Sequence, residues 1–311
     1  MRVLGIDTSN YTTSVALATE NSYRMERRIL TVAQGECGLR QSNALFLHTV
    51  NLPELMRTLA PASDGAIDAV AVSTRPRDVE GSYMPCFLAG VSAAESVAAS
   101  LGVPLYSFSH QAGHVMAAVR TCGSPEVGSH EFLAFHLSGG TTELLLARPD
   151  PDLGFAVEII GQTCDLSAGQ IIDRIGVMLG LTFPCGGELE KLAAKATSSV
   201  RVHPCLRGAD CHLSGAENQA QKMIADGASP ETVARFALDM VFATIAGMTK
   251  AAREEYPTLP IVYAGGVMRN AYLKTKLKGT FRGVYFADTE LSSDNAVGTA
   301  YLGLEKRRRE G

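Results

Sequence analysis

His110 and His114 stand four residues apart in the segment His110-Gln111-Ala112-Gly113-His114. On a helix that spacing puts both imidazoles on one face, one turn apart. Two neutral imidazoles so placed can hold one divalent cation. A zinc protease of the His-Glu-x-x-His kind would need a carboxylate beside the first histidine as general base. Gln111 occupies that position and cannot take a proton at neutral pH, so the metal reading survives and the protease reading weakens. Two histidines still lack a third ligand, which an acidic residue far along the chain must supply.

The elements that would position this pair follow from the apolar patterning. Residues 3–9 read as a buried strand ending in a polar turn, with 14–18 as its hairpin partner. Helical periodicity covers 43–59. Residues 67–73 form a mostly apolar strand, and 86–101 a helix stopped by Gly102. A short strand at 104–108 leads into the histidine helix. The pattern then starts again: a strand at 132–137, the turn Ser138-Gly139-Gly140-Thr141-Thr142, and a returning strand at 143–147. Helices follow at 169–179 and 230–255, then a strand at 261–264 that ends in Gly265-Gly266. This repetition suggests two similar lobes facing each other across a cleft. Each Gly/Ser/Thr turn would present backbone N–H groups and hydroxyls to phosphate oxygens.

The bulk numbers narrow the function class. The chain has 311 residues, is 46% hydrophobic and 19% charged, and carries a formal net charge of -4. That suits a globular chain with a sizeable core and gives no global nucleic-acid signature. The basic run Lys306-Arg307-Arg308-Arg309 is a local candidate patch that also reads as a solvated C-terminus. Seven cysteines without C-x-x-C spacing suggest neither a disulfide framework nor a zinc ribbon. No leader and no bilayer-spanning apolar stretch is read, so no membrane role and a cytoplasmic location are expected.

Six segments taken together resemble the TsaD family, once labelled O-sialoglycoprotein endopeptidase or Gcp. They are Leu4-Gly5-Ile6-Asp7-Thr8-Ser9, the histidine segment, Ser138 to Leu144, the run from Gly161 to Lys191, Ala264-Gly265-Gly266-Val267-Met268-Arg269-Asn270, and Ser293-Asp294-Asn295-Ala296. The resemblance spans nearly the whole chain. It implies an α/β, two-lobed actin-like ATPase (ASKHA) fold with duplicated βββαβα-type domains around a cleft. The N-terminal lobe would be 1–103 plus about 295–311. The C-terminal lobe, 104–294, would carry the metal and most nucleotide contacts.

The activity it implies is transfer of a threonylcarbamoyl group from threonylcarbamoyl-AMP to N6 of adenosine 37 in tRNAs that read ANN codons. It also implies one metal, iron or zinc, on His110, His114 and Asp294. An adenine nucleotide, with magnesium as a candidate counter-ion, would touch Ser138, Gly139, Gly140, Thr141, Thr142, Asp173, Gly186 and Asn270. tRNA and TsaB- and TsaE-like helper proteins are the implied partners.

The chain departs from the family pattern where the acceptor would react. Tyr11 and Thr12 stand where two acidic residues are usual, Thr141 replaces a histidine, and Glu217 replaces a lysine. The loop Arg75-Pro76-Arg77-Asp78-Val79-Glu80-Gly81-Ser82 replaces a Gly-Pro-Gly-rich one. These departures describe a divergent paralogue. They leave two further readings open: the same adenylate-and-metal core with another acceptor, or a non-catalytic nucleotide-binding scaffold.

Overall fold

The computed structural model describes residues 1–9, 11–30, 39–59, 65–288, 291 and 295–311. The chain divides into two compact units. The first comprises Met1–His130, Ala147–Val157 and Glu290–Gly311, the second Glu131–Leu146 and Glu158–Thr289.

The first unit opens with β1 (Val3–Asp7), β2 (Thr12–Ala18) and β3 (Tyr23–Ile29), followed by α1 (Gln41–Leu59), β4 (Ala69–Arg75), α2 (Phe87–Leu101), β5 (Leu105–Ser109) and α3 (His110–Thr121). Its sheet runs β3-β2-β1-β4-β5. β1 pairs antiparallel with β2, while β1, β4 and β5 run parallel. β1 and β4 are buried almost throughout because helices cover both sheet faces, which accounts for their unbroken apolar runs.

The second unit repeats the scheme after a 3-10 turn at Pro125–Ser129. β6 (Phe132–Leu137), β7 (Thr142–Asp150) and β8 (Gly154–Gln162) precede α4 (Ala168–Met178) and α5 (Gly186–Ala193). A small hairpin of β9 (Cys205–Arg207) and β10 (Asp210–His212) leads to α6 (Ser214–Ala225) and α7 (Pro230–Glu255). β11 (Ile261–Ala264), a 3-10 turn at Gly266–Arg269, α8 (Ala271–Thr280) and β12 (Val284–Phe286) complete it. The sheet order β12-β11-β6-β7-β8 maps strand for strand onto the first sheet. The duplication expected from the two hairpin patterns is therefore present.

The chain returns to the first unit as α9 (Ala296–Glu310), whose residues 296–304 are all buried. The basic run is thus the last turn of a core helix, with Lys306 and Arg307 half-buried and Arg308 and Arg309 exposed. The expected boundary at residue 103 is displaced to 130. β5 extends the first sheet through β4, and α3 packs along α9, so the histidine helix belongs to the first unit.

Length and composition alone would let α7 cross a membrane, against the sequence reading that no stretch could. Of its most apolar window 72% is buried in the second unit, as befits a core helix. The six described cysteines are free thiols.

Candidate functional site

α3 starts at His110 because Ser109 caps it: the Ser109 hydroxyl accepts from the Ala112 N–H at 3.1 Å. The same hydroxyl donates to Asp78 Oδ2 at 2.5 Å, and Asp78 Oδ1 accepts from Arg75 Nε at 2.9 Å. A second orphan N–H of the helix, that of Gln111, donates to the Pro76 carbonyl at 3.0 Å. The loop that departs from the family pattern therefore grips the start of the histidine helix.

On that helix the two imidazole centroids lie 4.5 Å apart at 72°. His110 Nδ1 is 2.9 Å from Asp7 Oδ2. Asp7 is 1% exposed. Burial alone would raise its pKa, but the charge and hydrogen bond of His110, with hydrogen bonds from Ser73 and Ser9, outweigh burial and hold the carboxyl well below the usual range. Asn295 donates through Nδ2 to the His110 carbonyl and also lies 2.7 Å from His110 Nδ1. Nδ1 cannot both donate to Asp7 and accept from Asn295. The buried carboxylate needs the proton more, so Nδ1 is assigned as the donor to Asp7. A metal-binding histidine is held in this way: one nitrogen fixed by a carboxylate, the other open to a cation. Asn295 Oδ1 is buried with no hydrogen-bond partner, an orphaned acceptor beside the pair.

Close backbone approach brings Asn295 there. A Cβ on Gly298 would lie 1.9 Å from the Gly113 carbonyl oxygen, so only glycine lets α9 meet α3 at this crossing. The expected third ligand, Asp294, lies outside the described residues. Among the described residues no group of three His, Cys, Asp or Glu side chains is arranged to hold a metal.

The turn after β1 does not present its hydroxyls as expected. Thr8 Oγ1 donates to the Cys86 carbonyl and accepts from the Gly90 N–H, tying β1 to the start of α2. Thr13 Oγ1 lies 2.8 Å from His48 Nδ1 and accepts from Asn51. Both hydroxyls are committed to internal bonds. Tyr11 is 37% exposed and Thr12 half-buried.

The second unit holds a groove of about 500 Å³ that brings together Gly139, Asp173, Gly186 and Asn270. Ile172, Phe183, Pro184 and Val267 give it apolar walls, and Glu190 and Arg269 add charge. A Cβ added at Gly139, Gly186, Gly187 or Gly266 would meet nothing within 4 Å, so these backbones face open space. Gly186 opens α5, whose N-cap Cys185 supplies no side-chain hydrogen bond, leaving first-turn N–H groups for an anion. Asp173 Oδ1 accepts from the Cys185 N–H at 2.8 Å, which fastens the segment before α5 onto α4. Asn270 caps α8 by accepting from the Leu273 N–H at 2.9 Å.

In the turn between β6 and β7, Ser138 Oγ accepts from the N–H groups of Gly140 and Thr141, at 3.2 and 3.1 Å, and Gly139 lines the groove. Thr142 is 1% exposed and accepts from the Ala168 N–H at 2.8 Å. These residues build the wall that carries Gly139. Asp7 as the partner of His110 was missed in the sequence, although a charge closing the apolar run Val3–Asp7 is itself a signal that a buried partner must exist.

Comparisons with known proteins give the family and the fold. The TsaD family description, tRNA N6-adenosine threonylcarbamoyltransferase, matches residues 13–301. A Thermus thermophilus protein of that name is 30% identical over 317 residues, covering 99% of this chain and 94% of its own. One from Archaeoglobus fulgidus is 27% identical over 310 residues, covering 98% and 91%. Among solved structures, full-length HypF superposes with a TM-score of 0.60 at 14% identity, covering 99% of this chain and 46% of its own. Component A of Acidaminococcus fermentans (R)-2-hydroxyglutaryl-CoA dehydratase gives 0.56 at 14% identity, covering 99% of each chain. At that identity the structures speak to the fold alone. With the repeated sheet order, they give the actin-like ATPase fold expected from the sequence.

Proposed function

The chain belongs to the TsaD family of tRNA N6-adenosine threonylcarbamoyltransferases, and from that premise we propose that it moves a threonylcarbamoyl group from threonylcarbamoyl-AMP to N6 of adenosine 37 in ANN-decoding tRNA. The observation that carries this reading is the His110–His114 pair, held by buried Asp7 in a chain that matches the family from residue 13 to 301.

His110 and His114, with Asp294, would hold one iron or zinc ion. Two imidazoles and a carboxylate suit either metal. The Asp7 contact that fixes the His110 tautomer and the orphaned Asn295 Oδ1 beside it support the fit. When bound, the metal supplies an electrophile toward carbamoyl or phosphate oxygens.

The groove of the second unit would hold the adenylate. Its apolar walls suit the purine, and the second oxygen of Asp173 suits a ribose hydroxyl. The open N–H groups at Gly186 and Gly187 suit the phosphate. In the transfer the N6–C bond forms as the bond from carbamoyl carbon to phosphate oxygen breaks, so AMP leaves and no covalent enzyme intermediate is needed. The amine must also lose a proton. Asp7 is a poor acceptor because its carboxylate is stabilised as the anion and engaged by His110. Neither Tyr11 nor Thr12 replaces the usual acids.

The reaction is to be reconstituted with threonylcarbamoyl-AMP and unmodified ANN-decoding tRNA, with and without TsaB- and TsaE-like proteins in the cytoplasmic ionic range. Nucleoside mass spectrometry should find the modified adenosine in the complete mixture and lose it with His110→Ala/His114→Ala, whose metal content should also fall. An unmodified tRNA under all conditions, alongside an active Thermus relative, would sink this reading.

A further inference from the structure

The first unit contains a second concavity, separate from the groove just described and from the histidine pair. It encloses about 330 Å³ between the 3-10 turn Pro125–Ser129, the tip of the β7–β8 hairpin, α3 and α9. Its floor is apolar: Phe108, Met116, Val119, Phe155 and Leu302 are each less than 8% exposed. Its rim is cationic, with Arg120, Lys306, Arg308 and Arg309 facing the single carboxylate of Glu305.

Glu305 is shared, 2.8 Å from Arg308 and 3.9 Å from Arg120. Lys306 pairs at 3.3 Å with Asp152, whose side chain is 85% exposed. Arg309 pairs with no carboxylate among the described residues. The rim thus keeps a positive excess in a chain whose net charge is -4. The shape is also built in. Gly154, at φ 77°, sits so close to α9 that a Cβ would lie 2.3 Å from Leu302 Cδ2, and one on Gly128 would lie 2.7 Å from Val119 Cγ1. The hairpin tip and the 3-10 turn are therefore seated directly on the floor residues, which makes the concavity a preformed feature.

We propose that this pocket binds a small organic anion, with its apolar body on the Phe108–Phe155–Leu302 floor and its carboxylate, phosphate or sulfonate among Arg120, Arg308 and Arg309. Concave sites with apolar walls and a few convergent charged groups are the usual form of a small-molecule site. Arg309, which pairs with no carboxylate among the described residues, and Arg308, which shares Glu305 with Arg120, leave charge at the mouth for an anionic head, while Arg120 also donates to the Glu20 carbonyl at 2.6 Å. Nothing in threonylcarbamoyl transfer uses these residues, so the pocket would be a separate ligand site on the same chain.

The probe is 8-anilinonaphthalene-1-sulfonate, an aromatic sulfonate whose emission shifts when bound, titrated into the full chain. Wild-type protein should show a saturable site. Arg308→Gln/Arg309→Gln, which removes two exposed charges, should weaken that site about 10-fold. Ser129→Glu, which sets a carboxylate in the mouth, should do the same while the melting temperature stays unchanged. Asp173→Ala, which alters the second-unit groove, should leave the affinity for the probe unchanged. Failure to bind at millimolar probe, wild-type affinity in both pocket variants, or loss of the site in Asp173→Ala would each overturn the proposal. Because the titration needs no catalysis, its outcome is separable from the transferase assay.

Discussion

Buried Asp7 controls the chemistry of His110 without touching a substrate. Its carboxylate lies 2.9 Å from Nδ1, and on the proposed metal site it would hold the proton there and turn Nε2 toward the cation. Asp7→Asn keeps the shape and removes the charge, and is expected to weaken metal binding about 10- to 100-fold. A zinc competition titration checks it; unchanged affinity would sever Asp7 from the site. Asp165 offers a test of stability. Burial would raise its pKa, but hydrogen bonds from Ser214, Leu213 and Leu166 overcome this and lower it from 3.8 to about 2. A depressed folded pKa stabilises the protein above the unfolded value, and that stability is lost as pH falls from near 3.8 toward 2. Asp165→Asn should cost about 1 to 2 kcal/mol at pH 7 and flatten the acid limb of a urea-unfolding series. An unchanged limb would assign acid sensitivity elsewhere. Glu217 corrects the sequence picture of a bare reversed charge, since it pairs with Arg174 at 2.9 Å. That pairing crosses from α4 to α6, so spacing along the chain could not reveal it. Glu217→Gln should release Arg174 and raise tRNA affinity a few-fold, with a steeper salt dependence. A filter-binding series at several salt concentrations measures both.

At the scale of elements, the crossing of α3 and α9 assembles the histidine site. α3 was readable from its spacing and from Ser109 at its start. α9 was not, because small residues such as Ala296, Gly298, Ala300 and Gly303 leave no amphipathic stripe in a helix buried on all sides through residue 304. The same glycines that hid the helix make its docking possible. Gly298→Ala would drive a methyl group to 1.9 Å from the Gly113 carbonyl oxygen. The helices must separate, at a cost of about 2 kcal/mol or more, and Asn295 must move away from His110. A fall of several degrees in melting temperature together with weaker metal binding is expected. A loss of stability with metal affinity intact would show that the site does not depend on this crossing. α5 escaped notice for a different reason: it has eight residues and opens with two glycines, which read as a turn. Those glycines nevertheless line the groove. The central strands β1, β4 and β6 were legible because sheets covered on both faces demand their apolar runs, whereas the more polar or shorter β3, β8, β9, β10 and β12 were not read from the sequence.

For the whole molecule, duplication was legible because each unit begins with a strand, a polar turn and a returning strand. What each turn does was not legible, because hydroxyls look alike in sequence whether they face a ligand or a neighbouring helix. Thr8 and Thr13 in the first unit and Thr142 in the second all bond internally. The structure thus assigns the candidate metal pair to the first unit and the candidate adenylate groove to the second. The sites should then be separable by mutation. Asp173→Ala should weaken AMP binding by calorimetry at least 10-fold and leave metal content unchanged, while His110→Ala/His114→Ala should do the reverse. Turnover is a property of both units together, and there the chain is expected to fall short of its relatives. The donor half of the chemistry has a candidate groove and a candidate histidine pair, while Tyr11 and Thr12 stand where the family resemblance implies two acids that would serve the attacking amine. Asp7 is held as a stable anion against His110, and Tyr11 and Thr12 carry no carboxylate. Losing a positioned proton acceptor costs about 100-fold or more in rate. Single-turnover transfer should therefore run about 100-fold below that of the Thermus thermophilus relative, with a steeper rise toward alkaline pH as hydroxide substitutes for the missing base. Restoring acids with Tyr11→Asp or Thr12→Glu should recover part of the difference. Equal rates for the two wild-type enzymes under matched metal, nucleotide and partner conditions would show that the amine needs no such acceptor here.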